Sequence, residues 1–196
     1  MEQNEALQQI KYIREMMDKA SQRMFFSPWQ WIEWGALVMA AGIWTQHMLN
    51  RGQQHYILYL WIIVFIVGST LETLFWMREA QMRGVEPLNP FLMKVWGIAL
   101  GIFLIPIVFT PVFINIHLPQ YIPGIWMLSI GVAMFAWVLL SIRKEIWIFC
   151  ELMLISGILS VSLFLDHSLA ILTWSFGLGG FLMGIYLMLT QKRNKE

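Results

Sequence analysis

The sequence predicts an all-α polytopic membrane protein: six transmembrane helices in three antiparallel hairpins, preceded by a cytoplasmic amphipathic helix. Three observations carry this reading. Apolar residues make up 58% of the 196 positions, mean hydropathy is +0.62 and charged residues are only 13%, where soluble domains carry roughly 25%. Six stretches are long and apolar enough to cross a ~30 Å hydrocarbon layer, which takes about 20 residues each. Finally, eleven of the thirteen Lys and Arg residues fall into four segments: Lys11 to Arg23, Arg78 with Arg83, Arg143 with Lys144, and Lys192 to Lys195. Long apolar runs, two spans at a time, separate these basic segments. Basic residues in short loops stay cytoplasmic, so both termini are assigned to the cytoplasm of a plasma membrane.

Residues 1–26 form a separate element. Ala6, Ile10, Ile13, Met17, Ala20 and Met24 are spaced 4, 3, 4, 3, 4, as in a heptad seam, with Lys11/Glu15, Arg14/Asp18 and Glu15/Lys19 as i,i+4 pairs outside it. This opening is polar and lacks an apolar h-region, so it is not read as a signal peptide. It lies on the inner leaflet, folds against the bundle, or pairs with another chain or copy. Its two alanines and two methionines make the seam a candidate docking surface of modest strength.

The six-span unit covers residues 27–190. The first span runs from Trp29 to Leu49, opened by Ser27-Pro28-Trp29-Gln30 as a capping box with proline at the first helical position. The second, His55 to Met77, continues past the membrane to Arg83 and stops near Gly84. Asn89-Pro90 opens the third, Phe91 to Phe113, in which Pro106 and Pro111 remove backbone donors and favour a bend. The fourth and fifth are Ile122 to Ile142 and Ile146 to Leu165. The sixth, Leu169 to Thr190, is expected to start at an N-cap within Asp166-His167-Ser168 and carries Gly177, Gly179, Gly180 and Gly184, a small-residue face that admits another helix, within the bundle or across a dimer. Residues 191–196 are a basic cytoplasmic tail. The odd spans each pair a charge with a following glycine (Glu33/Gly35, Lys94/Gly97, Glu151/Gly157), while the even spans show no common register.

The run Ile10-Lys11-Tyr12-Ile13-Arg14-Glu15-Met16-Met17-Asp18-Lys19-Ala20-Ser21, followed by Trp31-Ile32-Glu33-Trp34-Gly35, resembles the opening of small multi-pass bacterial membrane proteins of unassigned function. These begin with an IREMM-type amphipathic helix and a Gly-rich first span. The resemblance covers about the first 45 residues. It implies a bacterial setting and no activity.

Chemistry is sparse. Glu33, Glu72, Lys94 and Glu151 lie a few residues in from the cytoplasmic ends, ~5–9 Å deep at 1.5 Å per residue. A charge in lipid costs a few kcal/mol, so the sequence places all four as an intramembrane polar cluster facing the bundle interior, with Lys94 neutralising one glutamate and Thr70 or Thr73 near Glu72. His47, His55, His117 and His167 fall at the outer ends, where a metal would find them, but interfaces suit histidine without one, and the reading is no metal and no cofactor. Lone Cys150 reads as a small buried hydrophobe. The tryptophans divide into an inner belt (Trp29, Trp31, Trp34, Trp76, Trp96, Trp147) and an outer one (Trp44, Trp61, Trp126, Trp174). Net charge of +1 argues against nucleic acid, and no Walker loop, HExxH, GxSxG or CxxC occurs. The expectation is therefore a non-catalytic integral membrane protein whose partners are the bilayer and a protein docked or sensed through the N-terminal helix. The alternative is a small transporter or channel for a cation, proton or small solute, using the inner-leaflet carboxylates.

Overall fold

A computed structural model describes residues 27–82, 90–138 and 144–193; the N-terminal seam from Ala6 to Met24 and the basic tail lie outside the described residues. The described chain is all-helical, without strands. It comprises α1 (Pro28–Asn50), α2 (Ile57–Met82), α3 (Pro90–Asn115), α4 (Ile122–Val138), α5 (Lys144–Ser162) and a sixth helix. The sixth consists of α6 (Ser168–Leu172), a π-helical turn (Thr173–Leu178) and α7 (Gly179–Arg193). Four stretches are long and apolar enough to span a membrane: Gln54–Met82, Gly97–Asn115, Lys144–Ser162 and Leu165–Thr190. The chain is a membrane protein.

Local chemistry explains the boundaries. Pro28 opens α1, and the Ser27 N–H donates to Gln30 Oε1 at 3.2 Å, as the capping motif requires. α3 runs as one helix through Pro106 and Pro111. The turn before the sixth helix corrects the expected N-cap: Asp166-His167-Ser168 makes no side-chain cap. The backbone closes it instead, His167 N donating to Phe164 O at 3.0 Å.

Glycine decides which helices touch. A Cβ on Gly35 would run into Phe181 N, one on Gly177 would lie 2.9 Å from Met39 N, and one on Gly184 2.7 Å from Ile32 N. At Gly42 it would collide with Thr173 Oγ1. The sixth helix thus buries its small-residue face against α1, at backbone distance. α4 and α5 do the same through Gly131 against Leu154 and Gly157 against Leu128, and Cys150 Sγ donates to Gly131 O at 3.0 Å. The core sits among α1, α4, α5 and the sixth helix: Trp31, Ile146, Phe149, Cys150, Met153 and Leu187 form one cluster, Val38, Met127 and Leu172 another. α2 rests mainly on α1 and α3 mainly on α4. The sixth helix packs more extensively on α1 than on α5, so the hairpins are connected chiefly across their boundaries.

Around the π-turn, Thr173 Oγ1 and Ser175 Oγ donate to the carbonyls of Leu169 and Ile171 at 2.7 and 2.6 Å.

The even helices do share a register, contrary to the reading of the sequence alone. Trp61 Nε1 donates to Thr45 Oγ1 at 3.1 Å, and Trp126 Nε1 to Thr110 Oγ1 at 3.2 Å. Both bonds tie the two arms of a hairpin, and the second lies 65 positions after the first. Between the arms the turns match residue for residue: a left-handed residue (Gly52 φ 71°, His117 φ 61°), a 3-10 turn (Gln54–Tyr56, Pro119–Tyr121), then Ile57 or Ile122. Gln53 N→Met48 O and Leu118 N→Phe113 O close the two turns; Phe164 N→Leu159 O closes the third. From there the sixth helix repeats α4 at an offset of 46, with Ile125/Ile171, Ser129/Ser175, Gly131/Gly177 and Phe135/Phe181. The first two hairpins thus share one turn geometry and one interhelical tie, and the third keeps the closing backbone bond and part of the helix register.

If the two Trp–Thr bonds are equivalent ties, double-mutant cycles of Trp61→Phe with Thr45→Val and of Trp126→Phe with Thr110→Val, followed by unfolding in detergent, should return similar coupling energies. About 0.6 kcal/mol each is expected; coupling in one hairpin and none in the other would break the equivalence.

Candidate carboxylate site

The end of the bundle opposite the three turns holds the one pair of described acidic side chains that converge. Glu33 lies on the second turn of α1 and Glu72 just past the midpoint of α2. Trp34, beside Glu33, reaches across and donates its indole N–H to Glu72 Oε2 at 3.0 Å. Gly68, one turn before Glu72, makes this reach possible: a Cβ there would lie 2.7 Å from Trp34 Cη2. Both carboxylate oxygens of Glu33 are buried and have no hydrogen-bond partner among the described residues, and Glu33 feels the charge of Glu72. Two carboxylates at one buried helix-pair end, with one indole N–H between them, require a positive counterpart: a cation, a proton or a basic side chain.

Thr70 and Thr73 do not supply it. Their hydroxyls donate to the carbonyls of Ile66 and Ser69 on their own helix, each at 2.7 Å. With Ser69 and Leu74 they line an open groove of about 380 Å³ on the outward side of α2.

Lys94 and Glu151 do not join the site, which corrects the expected four-residue cluster. Both are exposed side chains on the bundle's outside. On α5 the buried stripe runs through Ile146, Phe149, Cys150 and Met153; Glu151 is one residue, ~100°, off it. Depth separates them too. Counted from the shared turns, Glu33 and Glu72 lie about 20 residues from Gln53, Glu151 about 13 from Phe164 and Lys94 about 24 from Leu118, so Glu151 sits ~10 Å nearer the turn end than Glu33 and Glu72 at 1.5 Å per residue. Among the described residues Lys94 makes no ion pair with any of the three glutamates.

The tryptophan belt needs a similar correction. Trp29, Trp44 and Trp174 are more than half exposed, as an interfacial belt requires. Trp31, in contrast, is buried edge-on against Phe149 with ring centroids 4.7 Å apart, and Trp34, Trp61 and Trp126 are interhelical donors. The signal available in the sequence was the 16-residue Thr-to-Trp spacing, twice repeated. His47, His55, His117 and His167 are each exposed at the turn end, and among the described residues no group of three or more potential ligands gathers to hold a metal.

No protein-family model, curated protein or solved structure matches this chain. The site's chemistry therefore rests on its own geometry.

Replacing Trp34 by Phe removes the donor of Glu72 while keeping ring volume beside Gly68. It should destabilise the protein by about 1–3 kcal/mol, and adding Glu72→Leu, which removes the stranded acceptor, should recover part of the loss. Thermal unfolding in detergent reads this out. Strictly additive losses would mean that the indole and the carboxylate do not meet.

Proposed function

We propose that this is a non-catalytic integral membrane protein of a bacterial plasma membrane, with six spans and both termini cytoplasmic, that docks or senses a protein partner through the amphipathic helix at residues 1–26. The observation that supports it best is how the bundle uses its polar groups. Three indole N–H groups and the Cys150 thiol tie helix to helix, glycines bring backbones into contact along two seams, and the three intramembrane glutamates do not form one site. What remains for an external partner is the seam Ala6-Ile10-Ile13-Met17-Ala20-Met24 with its charged flanks. Burial of those side chains supplies contact energy at roughly 25 cal/mol per Å².

A second reading is supported by one specific feature. The unpartnered, buried oxygens of Glu33 beside Glu72 suit a small transporter or channel passing a cation or proton at the cytoplasmic end of the α1–α2 hairpin. Glu151 has no part in that path.

Two double variants separate the readings. Ile10→Gln with Ile13→Gln should abolish co-purification of the partner from membranes and leave the bundle folded; Glu33→Gln with Glu72→Gln should leave the partner bound. An unchanged set of co-purifying proteins after loss of both isoleucines removes the docking function. Loss of cation or proton flux in vesicles on neutralising the two glutamates then establishes transport.

A further inference from the structure

The Glu33–Glu72 pair needs a positive charge, and its surroundings select which one. Both oxygens of Glu33 are buried and have no hydrogen-bond partner among the described residues, while Glu72 Oε2 accepts the Trp34 indole N–H at 3.0 Å. The two carboxylates therefore sit in unlike environments. A hydrogen bond donated to a carboxylate favours its charged form, whereas a buried oxygen that no donor reaches bears the full cost of desolvation when it is charged. These environments favour the negative charge on Glu72 and a neutral acid at Glu33.

A metal cation is poorly served at the same place. Hard cations take about six or more oxygen ligands, and the pair offers four carboxylate oxygens, one of which already faces the positive end of the indole N–H. Thr70 and Thr73 do not complete a cage, because they line the outward groove of α2 and bond to carbonyls of their own helix. Among the described residues no group of three or more His, Cys, Asp or Glu side chains gathers to hold a metal. Of the described charged groups on the helices packed against α1, Glu72 is the one that acts on Glu33. A proton needs one acceptor oxygen and no cage.

We propose that the pair holds one proton at neutral pH, carried on Glu33 with the negative charge on Glu72, so that the ion bound at this end of the bundle is a proton and not a metal cation. The inference rests on the second functional reading for its role and narrows that reading to one ion. Binding is an exchange with water: an O–H bond forms on a Glu33 oxygen when the proton arrives and breaks when it leaves, and Glu72 keeps its indole donor throughout.

Infrared spectroscopy of the purified full chain in detergent at neutral pH tests this, because a carboxylic acid has a carbonyl stretch that a carboxylate lacks and that shifts on exchange into heavy water. The wild type should show that band, Glu33→Gln should lose it, and Glu72→Gln should keep it. Saturating sodium, potassium, magnesium or calcium chloride should leave it unchanged. Glutamine has the shape of the neutral acid, so Glu33→Gln should also unfold at a temperature close to that of the wild type. The proposal is overturned if the wild type shows no such band, if Glu72→Gln removes it and Glu33→Gln does not, or if one of the salts abolishes it, which would make this a metal-cation site. A Glu33→Gln chain that unfolds well below the wild type would equally contradict a neutral Glu33. Flux in vesicles is read separately: an intact Glu33 band without proton flux removes transport and leaves the proton site, whereas cation flux without the band removes the proton and leaves transport.

Discussion

The backbone contact between α1 and the sixth helix is the constraint on which the rest depends. In lipid there is no hydrophobic force to press helices together, since acyl chains are as apolar as leucine; close van der Waals contact and interhelical hydrogen bonds must do it. Gly35, Gly177 and Gly184 allow α1 and the sixth helix to touch along three turns. That contact turns Trp31 inward onto Phe149 and so connects α1 to α5. It also joins the first hairpin to the third. The π-turn belongs to the same arrangement: its wider radius sits where Thr173 faces Gly42, and Gly177, within it, meets Met39.

The carboxylate pair is a consequence of the first hairpin's geometry. With Thr45 and Trp61 tied near the turn, the far ends of α1 and α2 stay in register, and Trp34 comes level with Glu72. Gly68 gives the indole room. Glu33 is carried to the same end by its neighbour and is left without a hydrogen-bond partner among the described residues. The hairpin tie that organises the fold and the polar pair that invites function are thus two ends of one element.

Much of the architecture was legible in the sequence, and the rest was hidden for physical reasons. The helical character of the chain follows from local hydropathy and capping: Pro28 starts the first helix where expected, and four stretches are long and apolar enough to span a membrane. Which faces meet is a different problem, because a lipid-facing stripe and a buried stripe are equally apolar. Leu104 and Cys150 hold equivalent positions, one bare and one fully buried, and nothing in their hydrophobicity separates them. The glycines were visible, but only contact distances show that Gly184 is a seam residue and Gly97 is bare. Glu151 lies about 13 residues from Phe164 where Glu33 lies about 20 from Gln53, a difference in depth that distance from the nearest span end conceals.

The most direct test of this account exchanges volume across the α1–sixth helix contact. A Cβ at Gly42 would occupy the space of the Thr173 side chain, so Gly42→Ala alone should lower the unfolding temperature in detergent. Adding Thr173→Gly vacates that space at the cost of helix propensity and one back-bonding hydroxyl. If the two helices meet as described, the double variant unfolds at a higher temperature than Gly42→Ala alone. If the two substitutions lower the unfolding temperature additively, residues 42 and 173 do not share that space, and the contact that organises the bundle lies elsewhere.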